Sequence, residues 1–416
     1  MESTFIILFS IASLVAFGVR RTPIPYTVAL VVVGLAAGQL ELVSPPALTK
    51  ELLFALFLPG LVFEAAYNIH VTELRSSWRT IATLAVPGVI VSIGLVAAAM
   101  LGAFRLMDPA QQLDWRTSVV FAALVAATDP IAVVALFRQL GVPSRLTTLV
   151  EAESLFNDGT SIVVLSLVLA FVTGTGASVA ALSLQFVLVI GGGAIVGGAF
   201  AFGIARLTKR LDDPMLEIQL TTIAAYGSFV VAERLHLSGV IATVTAGLVL
   251  GTYGREVSMS PTTRLSVDTF WQYVAFALNS IVFLLIGFSV RPAALLASAG
   301  AIVAAFLAVV VARGGVVFGV MAAAARSRER FSSGWATVIT WGGLRGALSM
   351  VLALALPADF PNRALLVDLT FGVVVLSIVV QGTTMQWLIR WLRLSGPHHA
   401  QHAMAQPTPS APGSAS

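Results

Sequence analysis

Apolar runs recur along almost the whole chain, and they limit the fold more than any other feature. Each is close to or above the ~20 residues that a helix needs to cross a bilayer. The pattern predicts an all-α polytopic membrane protein with about thirteen transmembrane helices. The runs cover residues 4–19, 23–42, 48–67, 80–104, 117–141, 146–172, 178–205, 215–234, 238–253, 268–290, 294–325, 333–357 and 365–389.

Composition excludes several other classes of protein. Hydrophobic residues make up 57% of the chain and charged residues 11%, against about 25% charged in soluble domains. The net charge is +4, but the basic residues are spread singly through loops, so we expect no nucleic-acid partner. The chain has no cysteine, which excludes disulfides and thiolate metal sites. We expect neither an enzyme nor a resident cofactor.

The basic residues also predict an orientation. Sixteen of them fall in one set of alternate loops and six in the other. Since cytoplasmic loops carry an excess of Lys and Arg, the sequence predicts an N-terminus outside the cell and a C-terminus in the cytoplasm. The remaining two, Arg313 and Arg345, fall inside apolar runs.

A cluster of four oxygen-bearing residues, Glu153, Ser154, Asn157 and Asp158, lies within the run 146–172. Glu153 and Asn157 share one helical stripe, and Ser154 and Asp158 share the next, because residues four apart lie on one face. A carboxylate at membrane depth costs at least ~3 kcal/mol unless it is paired, hydrated or bound to a cation. Asp158 lies about twelve residues, or ~18 Å, from the predicted interface at Leu146. This depth predicts that Asp158 is functional.

Two other runs are broken by residues that disfavour a continuous helix. Thr128-Asp129-Pro130 interrupts the fifth, and Trp341-Gly342-Gly343-Leu344-Arg345-Gly346 interrupts the twelfth. Pro130 has no N–H to donate, and discontinuous helices commonly build the ion site of a transporter. We expect Asp129 to offset the positive ends of the half-helices and Arg345 the negative ends. For Arg345, direct ion contact is an equal alternative.

The other membrane-embedded charges are expected to be structural. Arg313 keeps its proton in proteins and therefore needs a partner, for which Glu153 is the natural candidate. That pairing leaves Asp158 and Asp129 as the acids free to exchange. Glu151 is expected to be a solvated acid at a helix end. Structural pairs or helix-end roles are also expected for Glu64 and Glu233.

These residues resemble the NhaP and sodium–proton exchanger branch of the cation/proton antiporters, over nearly all of residues 1–395. The resemblance implies thirteen helices in inverted repeats with two crossing discontinuous helices, a core bundle, a dimerisation domain and alternating access. The matching motifs are Phe57-Leu58-Pro59-Gly60-Leu61-Val62-Phe63-Glu64-Ala65-Ala66, Thr128-Asp129-Pro130, Glu153-Ser154-Leu155-Phe156-Asn157-Asp158, Leu237-Ser238-Gly239-Val240 and Gly342-Gly343-Leu344-Arg345-Gly346.

The resemblance also implies roles for individual residues. Asp158 would alternate between proton and cation. Thr128, Asp129 and Ser154 would complete the oxygen shell of Na⁺, and Glu153 would complete or support it. Asn157 would fix the geometry, and Arg313 and Arg345 would be supporting charges.

The expected organisation is one transmembrane domain, residues 1–396, and a disordered cytoplasmic tail, residues 397–416. The core bundle would include 80–172 and 294–357, and the remainder would form the dimerisation scaffold. The shortness of the tail favours a protein of the bacterial inner membrane. Expected partners are monovalent cations, protons, the lipid bilayer and a second copy of the chain.

The predicted function is exchange of Na⁺ or Li⁺ for H⁺, electroneutral at one to one, because Asn157 precedes Asp158 and only one of the two can titrate. Alternatives are K⁺/H⁺ exchange, an uncoupled cation channel and a non-transporting sensor. A channel would need acidic rings along a pore, whereas one central carboxylate between broken helices favours a carrier.

Overall fold

The computed structural model describes residues 2–19, 22, 25–40, 49–107, 113–174, 178–209, 213–255, 259–326 and 331–395. The described residues contain helices and connecting segments and no strand. The tail 397–416 and the basic residues Arg20, Arg21, Arg210, Arg328 and Arg330 lie outside them.

Each predicted apolar run corresponds to one helical segment, and the segments are numbered here in chain order. A further short helix, Pro292–Ala297, precedes the eleventh. The segments are α1 (Glu2–Val19), α2 (Tyr26–Gln39), α3 (Lys50–Asn68), α4 (Val71–Leu106), α5a (Trp115–Leu124), α5b (Ile131–Leu140), α6 (Ser144–Val172), α7 (Val179–Thr208), α8 (Pro214–Arg234), α9 (Gly239–Gly254), α10 (Pro261–Ser289), α11 (Ala299–Arg326), α12a (Ser333–Trp341), α12b (Ala347–Leu354) and α13 (Arg363–Trp391).

The described residues include eight helices that are long and apolar enough to cross a membrane, together with four shorter apolar helices. The shorter ones are α1, α2, α5b and α9, and α5b is half of a broken segment. The predicted all-α polytopic architecture is therefore confirmed.

Helix bounds differ from the predicted runs by more than five residues at two places. Helix α4 begins at Val71 rather than near residue 80, and α10 begins at Pro261 rather than near 268. Arg75 and Arg79, predicted in a loop, therefore lie on α4. This first part of α4 is amphipathic, with Ile81 buried on one side and charged residues on the other, so an apolar run underestimates its length.

The helices pack in two groups that meet along α6. One, called here the core group, comprises α4, α5, α6, α11, α12 and α13. The other, the scaffold group, comprises α1, α2, α3, α7, α8, α9 and α10. Helix α6 packs on α4 and α5a of its own group and on α3, α7 and α9 of the other. Its polar residues therefore lie close to the boundary between the groups.

Candidate ion-binding site

The two broken helices meet at their breaks. Helix α5 is interrupted between Leu124 and Ile131, and α12 between Trp341 and Ala347. The backbone N–H of Asp129 donates to the carbonyl of Leu344 at 2.8 Å. Non-helical backbone at membrane depth is tolerated only where protein or a cavity surrounds it. Here each break supplies a hydrogen-bond partner for the other.

Side chains satisfy the carbonyls that the α5 break leaves free. Arg345 Nη1 donates to the carbonyls of Ala126 and Ala127 at 3.1 and 3.0 Å. Asn157 Nδ2 also donates to Ala126, at 3.1 Å, and Ser154 Oγ donates to the carbonyl of Thr128. Arg345, only 2% exposed, thus sits just past the carboxyl end of α5a. This position favours offsetting the negative helix end over direct contact with an ion.

Asp129 lies at the opposite, positive ends of the half-helices. Its Oδ1 accepts a hydrogen bond from the N–H of Ile131, the first residue of α5b, at 3.1 Å. Its side chain also packs against Gly346, which precedes α12b, so closely that a Cβ at Gly346 would overlap it. One carboxylate therefore faces two helix N-termini, where negative charge is stabilised.

The two stripes of α6 have different surroundings. We call the stripe of Glu153 and Asn157 the closed face, and the stripe of Ser154 and Asp158 the cavity face. On the closed face, Arg313 Nη1 and Nη2 donate to the two Glu153 oxygens at 3.2 and 3.0 Å. Arg313 Nε donates to the carbonyl of Ile339 at 3.2 Å. The predicted pairing of Glu153 with Arg313 is thus present, and both residues are buried.

The cavity face opens onto a cavity of about 750 Å³ between the two helix groups. Thr128, Asp129, Ser154 and Asp158 all line this cavity. The Asp158 carboxylate accepts no hydrogen bond from the described residues. A cation in this cavity would therefore meet two carboxylates and the oxygens of Ser154 and Thr128, which suits a small hard cation.

The structure separates the remaining predicted site residues from that cavity. Glu153 and Asn157 instead line a second, small cavity of about 20 Å³, together with Arg313 and Arg345. Asn157 Nδ2 donates to Thr128 Oγ1 at 3.1 Å. The closed face thus contacts the lining of the large cavity through the hydroxyl of Thr128.

The three other acids have defined partners. The expectation that Glu151 is a solvated acid is wrong: it is buried, and its Oε1 accepts from Arg138 Nη2 at 2.9 Å. Glu233 Oε1 accepts from the N–H of Gly239 at 3.1 Å, at the start of α9, which is a helix-end role. Glu64 Oε1 accepts from Asn68 Nδ2 at 2.9 Å.

Two hydroxyl residues support the site without any clear sign in the sequence. Ser377 Oγ accepts from the N–H of Arg345 at 3.0 Å and fixes the α12 break against α13. Thr160 Oγ1 donates to the carbonyl of Ala85 at 2.7 Å, within a π-helical turn of α4 that contains Pro87. Pro87 marks this irregular turn in the sequence, since proline removes a backbone donor from a helix, but it does not point to the Ala85 carbonyl.

Two broken helices that cross inside a membrane protein, with a carboxylate between their N-termini and another beside them, define the class of ion-coupled secondary transporters. Comparison with known proteins agrees. Residues 6–391 match the family described as sodium/hydrogen exchanger, transmembrane, and the chain belongs to that family.

Curated relatives match over most of their length. The chain is 40% identical over 377 residues to the Na⁺/H⁺ antiporter ApNhaP of Aphanothece halophytica, covering 90% of this chain and 70% of the relative. It is 38% identical over 402 residues to the low-affinity Na⁺/H⁺ antiporter NhaS1 of Synechocystis sp., covering 94% and 75%.

A solved structure supports the fold. The sodium proton antiporter MjNhaP1 from Methanocaldococcus jannaschii at pH 8 superposes with a TM-score of 0.75, covering 94% of this chain and 98% of that one. The identity is 18%, so this likeness bears on the fold alone.

Proposed function

We propose that this protein exchanges Na⁺ for H⁺ across a membrane, with Asp158 as the shared site of the proton and the cation. One observation carries the proposal: the Asp158 carboxylate lies on the cavity face of α6 beside the α5 break, and no described residue donates a hydrogen bond to it. A carboxylate in that position needs a proton, water or a cation.

The proposed cation shell consists of Asp158, Asp129, Thr128 and Ser154. All four line the cavity, and all offer oxygen, the ligand that hard cations prefer. Because Ser154 Oγ and Thr128 Oγ1 already have fixed partners, the shell is held in place before a cation arrives. Asn157 acts by fixing Thr128, and Glu153 acts through its pair with Arg313.

Exchange follows from competition. In the proposed cycle a proton neutralises Asp158 in the absence of a cation, whereas a bound cation favours the ionised carboxylate. The two ligands therefore exclude each other. Access that alternates between the two sides of the membrane converts that exclusion into exchange. With Asn157 neutral and Glu153 paired, one proton leaves as one cation binds, so the cycle is electroneutral.

The proposed setting is the plasma membrane of a bacterium, with the N-terminus outside and the C-terminus in the cytoplasm. Bacterial relatives and the bias of basic residues between loops support it. We further propose a homodimer formed by the scaffold group. Helix α7 offers a long apolar surface for this contact, with Leu184, Leu188 and Ile195 exposed.

The test is exchange in proteoliposomes that carry an imposed pH gradient. Addition of Na⁺ or Li⁺ should dissipate the gradient, and an outward proton gradient should drive Na⁺ uptake uphill. A response to K⁺ alone would favour the K⁺/H⁺ alternative. Cation flux that runs only downhill and leaves the pH gradient untouched would show a channel.

A further inference from the structure

The large cavity contains one ion pair that the exchange mechanism does not use. Its described lining residues include four carboxylates, of Glu64, Asp129, Glu151 and Asp158, but a single basic side chain, that of Arg138. Arg138 Nη2 lies 2.9 Å from Glu151 Oε1. The arginine side chain is 53% exposed and the glutamate side chain 11%. The pair therefore bridges the surface and the interior of the cavity.

Arg138 and Glu151 lie between the end of α5b and Asp158. Arg138 lies in the last turn of α5b, the half-helix that begins beside Asp129. Glu151 lies on α6, seven residues before Asp158, which corresponds to about 10 Å along the helix. A cation that moves from the end of α5b to Asp158 therefore passes the guanidinium.

We propose that Glu151 neutralises Arg138, and that this pair sets the charge of the cavity and thereby the apparent affinity for Na⁺. The inference rests on the proposed function, because it assumes that Na⁺ reaches Asp158 through this cavity. A cleft lined by one sign of charge raises the local concentration of the opposite ion. An unpaired arginine would weaken that attraction, and an unpaired Glu151 would strengthen it.

The geometry explains why the pair affects binding rather than the later steps. Neither residue hydrogen-bonds to the breaks of α5 and α12 or to the proposed shell, and Glu151 is held by Arg138 alone among its hydrogen bonds. Both are positioning residues that act through their field. The distance of about 10 Å and the exposure of Arg138 keep the effect modest and sensitive to salt.

The experiment measures the KM for Na⁺ and the kcat in proteoliposomes at low ionic strength. We expect Glu151→Gln to raise the KM about threefold and Arg138→Gln to lower it, with kcat within about twofold. The double variant should return to the wild-type KM. Choline chloride at high concentration should shrink the differences between the single variants.

Matched controls come from the same region of the chain. Arg145→Gln removes a guanidinium that contacts Ser77 and the ring of Phe331 and does not line the cavity. Glu73→Gln removes a carboxylate that accepts from Ser144 and is likewise outside the cavity lining. Both should keep the wild-type KM. Melting temperatures of all variants identify any that fail to fold.

Two results would overturn the inference while leaving the proposed function intact. One is a wild-type KM in both single variants of an exchanging protein. The other is a double variant no closer to the wild-type KM than Glu151→Gln. A wild-type protein that moves no protons on addition of Na⁺ would instead overturn the proposed function. In that case, melting temperatures measured at increasing Na⁺ concentration would test the effect of the cavity charge on Na⁺ binding without transport.

Discussion

The two faces of α6 place two carboxylates, five residues apart along the helix, in opposite surroundings. On the closed face, Glu153 meets both terminal nitrogens of Arg313 at 3.2 and 3.0 Å. On the cavity face, Asp158 borders a cavity of about 750 Å³. Both lie at similar depth in the same helix, so depth alone does not distinguish their roles. The difference lies in what each carboxylate faces: a permanent cation or a space that a mobile one can occupy.

The sharpest test of this comparison removes the charge on the cavity face. Asp158→Asn should abolish exchange and leave a folded protein with an unchanged or higher melting temperature, because an uncompensated charge is removed from the membrane interior. The measurement is Na⁺-dependent dissipation of a pH gradient. Asp213→Asn, at the exposed N-cap of α8, is the matched control and should exchange normally. Clear residual exchange by the first variant would rule out Asp158 as the carrier.

Asp129→Asn should reduce kcat/KM at least about tenfold without abolishing folding. The cation loses a ligand and two half-helix N-termini lose their counter-charge, together costing at least ~1.4 kcal/mol. Asp114 is a useful comparison, because its carboxylate caps α5a by accepting from the N–H of Thr117 at 2.9 Å. Asp114→Asn should keep a near-normal kcat/KM. An equal loss of kcat/KM in both variants would show that Asp129 acts only as a helix cap.

The closed face is tested through stability. Glu153→Gln or Arg313→Gln leaves a buried charge unpaired, which costs about 3–5 kcal/mol, and the double variant should recover part of that loss. Melting temperatures in detergent measure both effects. Single substitutions in the pair of Arg255 and Asp268, whose side chains are 26% and 22% exposed, should lower the melting temperature less, since a partly exposed pair leaves a better solvated charge behind than a buried one. Strictly additive losses for Glu153 and Arg313 would contradict the pairing.

The smallest expected effect is that of membrane potential. If only Asp158 titrates and Glu153 stays paired, one charge enters for each that leaves. If each cycle moved one net charge across the membrane, its driving force would change by ~2.3 kcal/mol for every 100 mV of membrane potential. Exchange at a fixed pH gradient should therefore be equal under potassium diffusion potentials of either sign, set with valinomycin. A rate that depends on the sign of the potential would mean that a second proton moves. Substitutions at Glu153 and Asp129 would then test which of the two carries it.

Much of this molecule follows from the sequence because a membrane restricts what a chain can do. Lipid forces long apolar helices, so the segments are readable, and the cost of buried charge singles out Asp158 and Arg313. The proline at position 130 and the glycines between 342 and 346 mark the two breaks. A lone arginine in lipid needs a partner, which directs Arg313 to Glu153.

What the sequence does not provide is contacts between distant segments. Asn157 looks like a cation ligand in a one-dimensional pattern, but its amide group donates to the Ala126 carbonyl and the Thr128 hydroxyl at the α5 break. Ser377 is an ordinary serine in an apolar run, and only packing brings it to Arg345. Glu151 looks like a helix-end acid because its partner Arg138 lies on another helix.

The hydrogen bonds between the two breaks have a consequence for the speed of exchange. Asp129 is tied to Leu344, and Arg345 to Ala126, so the half-helices cannot slide past each other without losing several buried bonds at once. Any movement of the site during exchange should therefore carry both breaks and their counter-charges together. In the proposed exchange cycle, resistance to such a movement would arise at the outer surfaces of this unit, against the scaffold group and the surrounding lipid. We therefore expect the turnover rate to depend on the thickness and fluidity of the bilayer.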